Sequence, residues 1–224
     1  MRDVRPGARM NRLAAASRRR PRALKGSLVR LRPVTRRDLT LLVAWRTHPE
    51  TRRCFFSVRP PTVRGQDAWF RTLAANRDTQ LFIVETKDAL PVGTIGLDRI
   101  DRDHRAAEFG AMLIGNPRFR GKGYGTDAAR TLISFAFNTM GLNRLTLEVF
   151  AWNAPAIRLY RRCGFAKEGV LRRSRFSGGA FRDTVLMSLL REEFRRRGNA
   201  RAAFAALTPG PPQRGGVSRA SRRR

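Results

Sequence analysis

The residues best placed by type and spacing to do chemistry are Arg118-Phe-Arg-Gly-Lys-Gly-Tyr-Gly125, followed directly by Thr126. Glycines let backbone N–H groups close on an anion, and a helix starting at their end adds a favourable dipole. Arg120 and Lys122 offer charge to the same anion, and Thr126 can cap the helix or bond the ligand. Two nucleotide-loop spacings fail here. A Walker A loop needs Gly-Lys-Ser/Thr, but Lys122 is followed by Gly123. A dinucleotide G-x-G-x-x-G needs a third glycine where Thr126 stands, together with a parallel βαβ unit. By residue type alone the stretch is an anion cradle or a turn with incidental cations.

Other reactive side chains are few. Cys54 and Cys163 are far apart, and with only His48 and His104 they make no zinc-ligand spacing, so no metal is expected. Two unpaired cysteines suit a reducing compartment. Neither histidine lies in a recognisable motif, and both read as surface residues. No apolar run approaches 18 residues, and the Arg-rich N-terminus lacks the apolar core of a secretory signal. A cytoplasmic, non-membrane protein is the expectation.

The elements that must hold the glycine-rich stretch can be read from periodicity. Residues 28–34 alternate as a half-buried strand does, and Thr35 then precedes an amphipathic helix with Leu39, Leu42, Val43 and Arg46 at helical spacing. Residues 51–61 read as a loop and 62–76 as a second helix. Three strands over 81–85, 92–100 and 105–114 are separated by short turns, which predicts an antiparallel meander. A strongly apolar-faced helix over 126–140 stops at Gly141. A strand over 144–150, a short helix over 154–162 ended by Gly164, and two strands around Ser177-Gly-Gly179 complete the order. The expected class is α+β: a mixed, mostly antiparallel sheet flanked by helices. No internal repeat is present.

Set in this order, the motifs carry a family resemblance. Arg120-Gly-Lys-Gly-Tyr-Gly125 resembles the R/Q-x-x-G-x-G/A acetyl-CoA signature of the GNAT (GCN5-related) N-acetyltransferases. The preceding Glu108–Phe119 (EFGAMLIGNPRF) resembles the strand before that loop in the RimJ/RimL-like branch, and Asn153–Phe165 (NAPAIRLYRRCGF) looks like that branch's second motif. The resemblance covers about 26–195 and is most specific over 105–170. It implies an acetyl-CoA-dependent N-acetyltransferase in which an amine attacks the thioester directly. The same carry-over puts the pyrophosphate on Arg120, Gly121, Lys122, Gly123, Tyr124, Gly125 and Thr126. It lays the pantetheine arm along Met112, Leu113 and Ile114, and gives Asn153 a pantetheine hydrogen bond. It makes Tyr160 the general acid for the departing thiolate and Glu108 the base or water-positioning residue. Tyr160 could instead be helix core, Asn153 an N-cap, and Glu108 an ion-pair partner. Glu148, alternating with Leu147 and Val149, reads as a solvated strand face, with a side chain turned into the cleft as the alternative. Ala111 stands where the family often has tyrosine.

Charge bears on the acceptor. The chain carries 47 Lys and Arg against 17 Asp and Glu, a formal net charge of +30. Residues 1–25 hold nine Lys or Arg against Asp3, and residues 195–224 hold nine Arg and no acid. Both ends lack an amphipathic pattern, so 1–24 and 198–224 are expected to be disordered tails around a single domain over 25–197. Lys25, Lys87, Lys122 and Lys167 are the only lysines, an arginine bias that fits GC-rich coding as well as selection for polyanions such as nucleic acid or ribosomes. Polyamines and aminoglycosides are polycations that such a chain repels unless acids cluster at the site. Asp98, Asp101, Asp103 and Glu108 form the obvious acidic cluster. The expected acceptor is therefore a protein N-terminus or other protein amine, with small polycationic amines or a relic fold that binds nucleic acid as alternatives.

Overall fold

A computed structural model describes residues 23–57 and 61–197. The expected tails lie outside the described residues. Eight strands form one sheet: β1 (Leu24–Lys25), β2 (Val29–Pro33), β3 (Gln80–Thr86), β4 (Pro91–Asp101), β5 (Ala106–Ile114), β6 (Arg144–Phe150), β7 (Ala166–Ser177) and β8 (Ala180–Leu190). Their spatial order is β1-β2-β3-β4-β5-β6-β8-β7, and every neighbouring pair is antiparallel except β5 and β6. The α+β architecture expected from the element order is the one observed.

Alternation along the strands sorts their side chains to two faces. On one face Phe82, Ile95, Leu97, Phe109, Leu145 and Leu147 are buried against helix α4 (Tyr124–Ser134) and α5 (Ala154–Cys163), which contributes Tyr160. Ala128, Ala129, Leu132 and Ile133 supply the apolar stripe of α4, and all are at most 1% exposed. On the other face Ile83 and the β2 flank Val34 meet Leu39, Leu42 and Trp45 of α1 (Leu39–Thr47). Helix α3 (Val63–Ala75), whose Thr62 N-cap hydroxyl accepts the Gly65 amide, adds Trp69 and Phe70 to that smaller cluster.

Three local departures from the sequence reading have physical causes. The segment after Thr35 begins as a 3-10 turn (Arg36–Asp38) before α1. There the Asp38 carboxylate accepts from both the amide and the hydroxyl of Thr35, which tightens the first turn. The expected loop over 51–61 contains part of a one-turn helix, α2 (Pro49–Arg52), with Pro49 at its first position and the Thr51 hydroxyl donating to the Trp45 carbonyl. Helix α4 passes into a π turn over Phe135–Thr139 before Gly141, whose φ of 74° ends it.

Two interactions fix the geometry around β5. Gly96 faces Gly110 and Thr94 faces Leu113, so β5 carries one more residue than β4 between those pairs, a β-bulge with Ala111 at φ 50°. The Thr94 hydroxyl holds it by donating to the Ala111 carbonyl at 2.7 Å. Further out, the Asp38 carboxylate accepts both Arg32 guanidinium nitrogens at 2.7 Å while the Arg32 Nε reaches Glu85 at 2.5 Å, tying β2, β3 and the start of α1 together.

Burial opposes the charge on Asp38, which is only 5% exposed, but the Arg32 fork and the Thr35 donors outweigh it and hold its carboxyl below the usual carboxylate range. A depressed carboxyl contributes stability that is present above its unfolded value of about 3.9 and lost as pH falls through the lower folded value. Asp38→Ala, which leaves Arg32 without its fork, is expected to lose about 3–5 kcal/mol at neutral pH. In Asp38→Asn the deficit should shrink as pH drops below about 4, read by denaturant unfolding across pH. Thr94→Val should lose about 1–2 kcal/mol through the Ala111 carbonyl, seen as a lower Tm by about 2–4 °C per kcal/mol.

Candidate active site

Pairing between β5 and β6 stops at Glu108 opposite Thr146, while β6 continues with β8 as far as Phe150 opposite Thr184. The two parallel strands therefore part, and residues 109–114 of β5 keep an edge with no strand on it. Backbone N–H and C=O groups on such an edge are open to an extended ligand. Met112, Leu113 and Ile114 lie on that edge, all half-buried. The chain then turns through Pro117–Phe119, where the Asn116 side chain accepts the Arg118 amide, and reaches the glycine-rich stretch.

That stretch has the features an anion cradle needs. Gly121 at φ 74° and Gly123 at φ 87° take backbone conformations that L side chains rarely adopt. Gly123 is the N-cap of α4, and among the described residues no side chain bonds the amides of the first turn, Tyr124, Gly125 and Thr126. Gly125 is where α4 packs closest: a Cβ there would stand 2.9 Å from the Met112 methyl and 3.2 Å from Leu159. Lys122 is exposed, and the Tyr124 ring meets Phe119 edge-on at 5.2 Å. Arg120 is held more firmly than its motif position implies. Its Nε donates to the Ile114 carbonyl at 3.0 Å and one terminal nitrogen pairs with Glu50 at 2.5 Å, while the other is buried without a partner among the described residues. An orphaned guanidinium N–H beside glycines of positive φ suits a phosphate ligand. The hairpin turn over this loop is fixed by Asp127, whose carboxylate accepts the amides of Ser27, Leu28 and Val29.

Helix α5 brings Asn153 and Tyr160 to the other side of the opening. Asn153 does act as an N-cap: its Oδ1 accepts the Ala156 amide at 3.3 Å, leaving its amide nitrogen outside the cap. Tyr160 is 9% exposed, with its ring edge-on to Phe109 at 6.1 Å and to Phe165 at 5.9 Å. Among the described residues its hydroxyl makes no hydrogen bond. Burial pushes its pKa well above the ordinary tyrosine value, so the phenol keeps its proton.

On the opposite face of the sheet a cleft of about 320 Å³ runs beneath α1 and α3. Phe55, Phe56 and Trp69 form one wall, and the floor holds Asp98, Glu108 and the Gly110-Ala111 bulge. The bulge thus belongs both to the cleft and to the open edge of β5. Asp98 and Glu108 are registered partners on β4 and β5. Asp98 accepts the Thr79 hydroxyl at 2.5 Å, and Glu108 stands 3.3 Å from the exposed Arg99.

The expected four-acid cluster divides here. Asp101 is bonded to His104, whose pKa it raises, and among the described residues neither Asp101 nor Asp103 lines the cleft. His48 and His104 are both exposed, as the sequence suggested. The solvated reading of Glu148 is corrected. Its side chain is 15% exposed, and it is bonded by Arg175 at 2.6 Å and by Thr184 at 2.7 Å. Burial opposes its charge, but these donors hold its carboxyl below the usual range. The reason is cross-strand: β6 lies between β5 and β8, and Arg175, stacked over Phe56 at 4.5 Å, folds back onto it.

Arg46 of α1 lines the same cleft, with its guanidinium 5.0 Å from the Phe55 ring centre. In the sequence it stands only as part of a helical stripe. A charge on the apolar spacing of that helix was the available signal. Among the described residues no group of three or more His, Cys, Asp or Glu is placed to hold a metal, and Cys54 and Cys163 are unpaired.

Comparison with known proteins agrees with this geometry. The family described as "Acetyltransferase (GNAT) domain" matches residues 29–166. The chain is 29% identical over 166 residues to a spermidine N(1)-acetyltransferase of Escherichia coli K12, spanning 74% of this chain and 88% of that one. It is 35% identical to a putative ribosomal N-acetyltransferase of Bacillus subtilis over 46% of this chain and 55% of that protein. The crystal structure of the Vibrio cholerae spermidine N-acetyltransferase, in complex with CoA and spermine, superposes with a TM-score of 0.68 at 27% identity, covering 75% of this chain and 98% of that one. None of these singles out the RimJ/RimL-like branch. With the matched domain, the parted strands and the glycine cradle in register, the chain belongs to the GNAT acetyltransferase family and is an acetyl-CoA-dependent N-acetyltransferase.

Proposed function

We propose that the enzyme acetylates the primary amine of a small aliphatic molecule by direct attack on the acetyl thioester. The observation that carries this reading is the shared bulge: the aromatic-walled cleft and the open edge of β5 meet at Gly110-Ala111. A cleft of about 320 Å³ is the size of a small-molecule site. The relatives named for spermidine acetylation support a small acceptor over the protein N-terminus that the basic ends suggested. The relative named as ribosomal keeps a protein amine as the second reading, with the RimJ/RimL-like affiliation that goes with it. Nucleic-acid contact through the tails concerns residues outside those described.

In this mechanism the pyrophosphate is held by the amides from Gly121 to Thr126 with Lys122 and the free nitrogen of Arg120. The pantetheine arm pairs along Met112, Leu113 and Ile114, with the Asn153 amide nitrogen donating to it. A backbone N–H beside the Ala111 bulge polarises the thioester carbonyl as charge develops on its oxygen. Glu108 receives the ammonium proton, directly or through water, and Tyr160 donates its proton to the departing thiolate. Burial keeps the Tyr160 phenol protonated, so the proton is in place when the thiolate departs.

Calorimetric titration should show acetyl-CoA binding in the micromolar range, and failure to bind at tens of micromolar would sink this reading. Tyr160→Phe keeps the ring packing and should lower kcat about 10²-fold with little change in the acetyl-CoA KM. Full turnover in that variant would remove Tyr160 from the acid role. Glu108→Gln should lose activity most at low pH, where the amine arrives protonated. A turnover screen over small amines and N-terminal peptides decides the acceptor class, and turnover confined to peptides would overturn the small-molecule reading.

A further inference from the structure

Arg46 is the one cation among the described residues that line the cleft, and the mechanism leaves its charge unused. It lies one turn after the buried Leu42, half-buried itself, and packs over Phe55. Among the described residues no carboxylate lies within 4.0 Å of it. The undescribed residues contain a single acid, Asp3. Nearby acids are engaged elsewhere: Glu50 with Arg120, Asp67 with Arg36, Glu108 with Arg99 and Glu148 with Arg175. Burial and the neighbouring Arg52 both disfavour the Arg46 charge. Among the described residues the half-buried guanidinium has the Phe55 ring face and no anion beside it, and the ring returns only about 0.5–2 kcal/mol.

The cleft's charges point the same way. It holds two acids, Asp98 and Glu108, on the floor and one cation, Arg46, under the helical roof. Since Arg99 already faces Glu108, the site is close to neutral. A near-neutral cleft with acids on its floor and a guanidinium under its roof is complementary to a zwitterion, and it offers a polycation one favourable and one repulsive partner.

We infer that the acceptor is an amino carboxylate: its amine sits over Glu108 and Asp98, and its carboxylate is held by the Arg46 guanidinium. This rests on the small-amine reading of the cleft and narrows it. A planar guanidinium binds a carboxylate through two parallel N–H donors, which fixes the acceptor's orientation as well as its charge.

The test is kcat/KM at saturating acetyl-CoA for amines of matched chain length: an ω-amino acid, an ω-aminophosphonate, an α,ω-diamine and spermidine. The wild-type enzyme should favour the ω-amino acid over the diamine by about tenfold or more. Arg46→Met, which keeps the side chain's bulk, should collapse that ratio through KM, and Arg46→Glu should invert it. Preference for the phosphonate over the carboxylate would overturn the carboxylate assignment. Preference for diamine or spermidine in the wild type, or a ratio unmoved in Arg46→Met, overturns the inference and leaves the small-amine reading standing. Acetyl-CoA binding without turnover of any small amine overturns both. Should Arg46→Met fail to fold, the wild-type ratio alone still decides.

Discussion

The constraint on which this structure depends is that β5 and β6 are parallel neighbours for only three residue pairs. They are joined at Ala106–Glu108 and Arg144–Thr146, and then β5 bulges while β6 stays with β8. A buried strand edge left without partners is unfavourable unless something extended occupies it. Helices α4 and α5 keep the opening from closing, because each is anchored in the core on its own side through residues such as Ala128, Leu132 and Tyr160. The gap is thus part of the fold, and the backbone groups of residues 109–114 are turned to it.

The bulge at Ala111 then links two sites on opposite faces of one sheet. An extra residue in β5 shifts its register against β4, so that Gly110 and Ala111 face the aromatic cleft while Met112 packs against Gly125 below the cradle. Thr94 holds that register from the neighbouring strand. The electrostatics follow the same division. Anion-binding features gather at the N-terminus of α4, where glycines leave amides uncovered, and the carboxylates that suit an amine gather on the cleft floor.

Much of this was legible in the sequence. Element order, the flanks of the glycine-rich loop, the stop at Gly141 and the hairpin at Gly178-Gly179 are local matters of periodicity and backbone freedom, which a single chain records directly. Other features were not. Glu148 alternates with apolar residues exactly as a solvated face would, and only its neighbour across the sheet, Arg175, makes it a buried ion-pair partner. The same holds for the acidic cluster: four acids close in sequence separate because the turn after β4 sends Asp101 towards His104 while Asp98 stays over the cleft.

The sequence by itself determined the class of fold, the glycine-rich turn before α4 and the family, since these rest on residue types at short, fixed spacings. The tertiary structure alone decided which charges meet. Arg46, Asp98 and Glu108 come from α1, β4 and β5, and no spacing along the chain says that a guanidinium and two carboxylates share one cleft. Long-range pairing is set by sheet order and helix packing, and these emerge only when the two faces of the sheet are covered. The chemistry of the acceptor lies on that second level, which is why the +30 charge of the chain suggested one kind of partner and the nearly neutral cleft suggests another.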